Sequence, residues 1–135
     1  MNYYRDEIWY PSVGYIKGVH EAVIEENKEK TPGTRYNPVA RIQPVLHDVR
    51  TVPGIYSKAA TLLKSIRREH VFNDGNTTTA ILVTIDFLQE NNKEFKPSDQ
   101  KLIAKVANNY KYFKNEEIAK WLKTGEINER KIPEH

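Results

Sequence analysis

Apolar positions recur at helical spacing along most of the chain, with glycine and proline separating the repeats. In PSVGYIKGVHEAVIEENK, Val13, Ile16, Val19, Val23 and Ile24 form one stripe, and Ser12 stands where an N-cap belongs. TPGTRYNP, residues 31–38, has loop composition, and Asn37 followed by Pro38 predicts a second helix carrying Val39, Ile42, Val45 and Leu46. Pro44 is expected to bend or divide it. A third helix follows in VPGIYSKAATLLKSIRRE, with Ile55, Ala59, Leu62, Leu63 and Ile66 on one side. After the turn VFNDG comes NTTTAILVTIDFLQENN, apolar on more than one face and expected to be the central, buried helix. KPSDQKLIAKVANNY and KNEEIAKWLKTGEI predict two shorter helices, with Ser98 and Asn115 as caps and Gly125 as the C-terminal stop. NERKIPEH reads as a frayed tail, and Ile8–Tyr10 as a short strand. The pattern is that of an all-α domain of about six helices.

Composition narrows this further. A length of 135 residues with 39% hydrophobic content suits one compact domain over residues 1–135. There is no cysteine, hence no disulfide framework and no thiolate metal site. The net charge of +3 is spread among 29% charged residues, which argues against the concentrated basic field of a nucleic-acid binder. The runs EENKEK and KSIRRE read as solvated helix faces, although SIRRE would also serve as a phosphate cluster. Trp9, among the tyrosines of NYYRDEIWY, reads as cover for the bundle or an oligomer contact, and Trp121 as part of the last helix's apolar face. No window approaches the roughly 18 apolar residues of a membrane span, and the N-terminus lacks the apolar core of a signal peptide, so the cytoplasm is the expected location. His20, His47 and His70 lack metal-ligand spacing. His20 is assigned to helix packing, and His47 to pairing with Asp48 or Arg50.

The chemistry concentrates in HVFNDGNTTTA, residues 70–80. The first amides of a helix lack intrahelical partners, and with the helix dipole they suit a phosphate. Gly75 before that end allows close approach, and Asn76 either caps the helix or donates its amide to a phosphate oxygen. Asp74 is placed to hold Mg2+, which prefers oxygen ligands and keeps substrate phosphates among them. His70 can take a proton from a hydroxyl, while Phe72 is expected to anchor the loop in the core. The parts describe a hydroxyl activated beside a bound, metal-chelated phosphate. The same residues also read as a common turn with a helix start, NDG being a frequent turn sequence.

The full string resembles the signature of the Fic/Doc family, particularly its death-on-curing branch, whose pattern is His-x-Phe-x-Asp-Gly/Ala-Asn-Lys-Arg-Thr-Ala. The chain matches it at His70, Phe72, Asp74, Gly75, Asn76, Thr79 and Ala80, and GVHEAVIEEN resembles the family's first helix. The resemblance implies a compact all-helical fold, with His70 as general base, Asp74 holding Mg2+, and Gly75 and Asn76 at the phosphates. It implies transfer of phosphate or AMP from ATP or another nucleotide to a hydroxyl of a target protein. It further implies a toxin of a toxin–antitoxin pair, with a translation factor such as elongation factor Tu as target. The inhibitory pattern Ser/Thr-x-x-x-Glu-Gly/Asn carried by other members is not found in the sequence, which points to a separate antitoxin.

One departure stands out. The pattern's Lys-Arg pair falls on Thr77 and Thr78, which keep hydroxyls and backbone amides for a phosphate but no charge. Losing a transition-state cation commonly costs about a hundredfold or more in rate. Three readings stay open at this point. The chain is a degenerate relative that binds an anion or a partner without transfer; another cation, Arg67 or Arg68, reaches in; or the nucleotide adopts a different pose.

Overall fold

The computed structural model describes residues 7–134. Six α-helices follow one another: α1 (Val13–Glu26), α2 (Pro38–Thr51), α3 (Ile55–Glu69), α4 (Asn76–Glu90), α5 (Gln100–Asn108) and α6 (Asn115–Thr124). Single 3-10 turns occupy Tyr110–Tyr112 and Glu129–Lys131. The all-α expectation therefore holds.

The first two helices start as their caps dictate. Ser12 Oγ accepts the Tyr15 N–H at 3.0 Å, and Asn37 Oδ1 accepts the N–H groups of Val39 and Ala40. Helix α1 buries Val13, Ile16, His20 and Val23, so a histidine occupies its apolar stripe. Helix α2 runs through Pro44 undivided. Ala40 and Pro44 both face outward, so water can satisfy the carbonyl that lacks a proline N–H. The buried Lys58 closes the end of α2, donating to the carbonyls of Val49 at 3.2 Å and Arg50 at 3.0 Å.

Helix α3, rather than α4, is the hub, packing against α2, α4, α5 and α6. Its large apolar residues mark one face, but Ala60, Thr61 and Ser65 are buried as well. Small side chains let neighbouring helices close in on flanks that a count of large apolar residues overlooks. Helix α4 buries Thr79, Ala80, Val83, Thr84, Phe87 and Leu88, while Leu82 stays 38% exposed.

Four terminal assignments change. Asp99, not Ser98, caps α5, accepting from Lys101 and Leu102. Asn115 is the first residue of α6 and donates to Thr61 Oγ1, while Glu117 reaches back to the Lys114 N–H at 2.8 Å. The tail joins the fold where fraying was expected: Asn128 caps its 3-10 turn, and Ile127 and Ile132 pack on the core. Ile8–Tyr10 is extended but pairs with a side chain instead of a strand. Asn91 accepts the Trp9 N–H at 2.9 Å and donates to the Trp9 carbonyl at 3.0 Å. Trp9 meets Tyr15 edge-on and Tyr10 lies against Phe87, so these aromatics cover the bundle. Tyr3 and Tyr4 lie outside the described residues. Gly125, at φ 82°, ends α6 as expected.

Candidate active site

The motif lies where α3 hands over to α4. His70 ends α3 in the left-handed region, φ 47° and ψ 51°, a conformation that costs a non-glycine residue roughly 1–2 kcal/mol. Contacts on both sides hold it there. The carbonyl of Val71 accepts the N–H groups of Arg35 at 2.7 Å and Tyr36 at 3.3 Å. Asn73 donates its N–H to the Gly33 carbonyl at 3.1 Å and its side-chain amide to the Pro32 carbonyl at 3.1 Å. The segment between α1 and α2 thus runs antiparallel to the motif loop, with Thr34 bridged to Phe72.

Beneath the loop, the first helix provides a seat. Phe72 is buried and stacked on the His20 ring at 3.7 Å between centroids and 8° between planes. His20, only 4% exposed, approaches the Asp74 carbonyl at 2.8 Å through Nε2. A carbonyl only accepts, so Nε2 carries the proton. Gly75, at φ 79°, immediately precedes α4, and a Cβ there would lie 3.3 Å from Val23 Cγ1 and 3.5 Å from His20 Cδ2. The missing side chain therefore makes room for α1, where sequence reasoning had reserved the space for a ligand. The side chain of Asn76 is likewise spent inside the loop. Its Oδ1 accepts the Phe72 N–H at 3.1 Å and its Nδ2 donates to the Phe72 carbonyl at 2.8 Å, so it neither caps α4 nor points an amide at a phosphate.

Above this seat a cleft of about 180 Å³ is lined by Lys30, Arg67, His70 and residues 73–78. The first intrahelical bond of α4 runs from the Thr79 N–H to the Gly75 carbonyl, so the amides of Asn76, Thr77 and Thr78 precede it. Thr78 is exposed, whereas the Thr77 hydroxyl is bonded to Asn108 Oδ1 at 2.6 Å. Burial, then the positive charges of Arg35 and Arg67, lower the His70 pKa and favour its neutral, proton-accepting form. The Asp74 carboxylate accepts the backbone N–H groups of Thr31 at 3.2 Å and Gly75 at 2.8 Å, with the Lys30 ammonium 3.7 Å away. Those two hydrogen bonds and then Lys30 hold its pKa below the usual carboxylate value. Of the two candidate cations preceding the histidine, Arg67 lines the cleft, its Nε donating to the Ala107 carbonyl at 3.2 Å beside the Tyr110 ring. Arg68 turns to Glu69 on the outside.

Chemically, the arrangement offers a neutral imidazole, a helix N-terminus, a carboxylate and two cations around one opening. Among the described residues no three His, Cys, Asp or Glu side chains gather to hold a metal. Among the described residues Asp74 is the sole carboxylate lining the cleft, a donor set that suits a Mg2+ carried in by phosphates and completed by them and water. Sequence reasoning missed Lys30, which EENKEK hides among mixed charges, and the loop-seating role of His20. The signal for His20 was present, since it completes the buried series 13, 16, 20, 23 of α1.

Comparison with known proteins bears on the same region. The model of the Fic/DOC family matches residues 10–88, which include the whole cleft loop. A stretch of 53 residues is 42% identical to the protein named Toxin Doc from Mycolicibacterium smegmatis, covering 39% of this chain and 41% of that one. The chain thus matches about two fifths of that relative's length. Among the described residues no helix is long and apolar enough to cross a membrane.

Proposed function

Because the chain belongs to the Fic/DOC family, we propose that it is a toxin-type transferase that moves a phosphate or AMP from a nucleotide to a hydroxyl of a target protein. The observation that carries this reading is the convergence of His70, the α4 N-terminus and Asp74 on one cleft. A target hydroxyl entering beside His70 gives its proton to the neutral imidazole as its oxygen attacks phosphorus. One O–P bond forms and one breaks. ADP leaves if the γ phosphate is transferred, and pyrophosphate leaves if AMP is. The amides of Asn76, Thr77 and Thr78 take the phosphate oxygens, and Arg67 adds charge at the rim. A phosphate-borne Mg2+ would use Asp74 as its protein ligand and neutralise phosphate charge there. The neighbouring cavity of about 390 Å³, lined by Val23, Asn27 and Leu82 and sharing Lys30 and Thr78 with the cleft, is of a size for the nucleoside. The similarity to a protein named Toxin Doc supports a toxin held in check by a separate antitoxin, and a translation factor such as elongation factor Tu is the target proposed for it.

A second reading, a family member that binds without transfer, is favoured by the uncharged Thr77 and Thr78, the former tied to Asn108. Label transfer separates the two. The protein, Mg2+ and a bacterial lysate are incubated with ATP labelled at the α or the γ phosphate, beside a His70→Ala variant. Histidine-dependent label from γ means phosphate transfer, and from α it means AMP transfer. No label from either, with the protein folded and the nucleotide bound, favours the binding-only reading for ATP and the targets in that lysate.

A further inference from the structure

With threonine at positions 77 and 78, the motif's charged side chain nearest the phosphate amides is the anion Asp74. A polyphosphate placed there needs cations from elsewhere in the fold. Arg67 is partly committed to the Ala107 carbonyl and to Tyr110. Lys30 is differently placed. It precedes a segment fastened to the motif loop at successive residues: Thr31 to Asp74, Pro32 to Asn73 and Gly33 to Asn73. Those bonds deliver its ammonium to the rim, 3.7 Å from Asp74 Oδ1, with the side chain 29% exposed. There it lines both the cleft and the adjoining cavity, as Thr78 does. An exposed lysine–aspartate pair contributes little to stability, so fold stability does not account for the placement.

We propose that Lys30 is the cation that charges this cleft for a polyphosphate, and that it does so from the same carboxylate a divalent ion would use. The proposal rests on reading the cleft as a nucleotide-phosphate site. A divalent ion on Asp74 would lie beside the Lys30 ammonium, and repulsion between the two cations favours an ammonium turned onto the phosphate. Because Lys30 supplies a positive charge of its own, the cleft holds a polyphosphate without any divalent cation.

The test is calorimetric titration of the full chain with inorganic pyrophosphate in excess chelator. Wild type is expected to bind, Lys30→Gln to bind about tenfold more weakly or worse, and Lys30→Arg to retain binding, as for loss or retention of a charge-assisted contact. Lys30→Met repeats the neutral variant with the side-chain stem preserved, and thermal melts establish that each variant is folded. Pyrophosphate binding by Lys30→Gln equal to wild type overturns the proposal. So does wild-type binding that appears only after Mg2+ is added. The measurement involves no turnover. Absent label transfer with Lys30-dependent pyrophosphate binding refutes the transferase reading alone, and transfer with Lys30-independent binding refutes this proposal alone.

Discussion

Replacing Gly75 with alanine tests how the motif loop is seated. Two costs follow from the structure. At φ 79° an alanine adopts the left-handed region, at about 1–2 kcal/mol. Its Cβ would also lie 3.3 Å from Val23 Cγ1, inside the roughly 3.5–4.0 Å of comfortable carbon contact, and overpacking of this kind typically costs about 1–3 kcal/mol. The stiffer unfolded chain returns about 0.4–1 kcal/mol. The net expectation is a loss of about 2–3 kcal/mol in urea unfolding, with Tm lower by on the order of 10 °C. Gly18→Ala is the matched control, because a Cβ there meets nothing within 4 Å on an exposed face of α1. It should stabilise by about 0.5–1 kcal/mol. Combining Gly75→Ala with Val23→Ala should recover about 1 kcal/mol of the steric part as a coupling energy. A cost for Gly75→Ala below about 0.5 kcal/mol, or a coupling of zero, refutes the claim that α1 fills the space beside the loop.

Other perturbations give separate checks. Asn76→Ala leaves the buried Phe72 N–H and carbonyl unpaired, and should cost about 2–4 kcal/mol in denaturant unfolding. His20→Leu removes the bond to the Asp74 carbonyl. It should cost about 1–3 kcal/mol, with faster amide hydrogen exchange confined to residues 70–76, and exchange unchanged there would count against the assignment. The lowered His70 pKa means that the unfolded chain takes up a proton before the folded one does. Stability from this group is therefore present above about pH 6.5 and declines as pH falls through the folded pKa. An NMR titration of the His70 ring should show a midpoint below 6.5, and the acid limb of label transfer should follow it.

Much of this architecture was legible in the chain because helix starts and apolar stripes are local. Ser12 and Asn37 announce α1 and α2 through bonds spanning two or three residues, Pro38 fits the first helical position, and Gly125 ends α6 with a bond back to the Trp121 carbonyl. Where adjacent residues could both cap, as at Ser98 and Asp99, the sequence does not decide which side chain meets the free amides. The rank of α3 over α4 was hidden because periodicity weighs large apolar residues, and Ala60, Thr61 and Ser65 carry no such weight. The Phe–Asp–Gly–Asn series of residues 72–76 could be located from the string alone. The division of labour within it could not. Asn76 spends its amide on Phe72, Gly75 makes room for α1, and His20 reaches the loop from 54 positions away in sequence. These arrangements depend on how segments approach in space, as does the arrival of Lys30 beside Asp74.

The central claim is that nucleotide phosphates sit on the first amides of α4, facing His70. The most direct measurement is an NMR titration of isotopically labelled protein with ATP and Mg2+, following backbone amides and histidine rings together. The account expects the largest shifts at Asn76, Thr77, Thr78 and the His70 ring, with smaller ones at Lys30. A far larger cavity of about 1020 Å³, lined by Lys105, Asn109, Arg130 and Ile132, offers an alternative location. Saturating shifts there, with the α4 amides and His70 unmoved, would contradict the account.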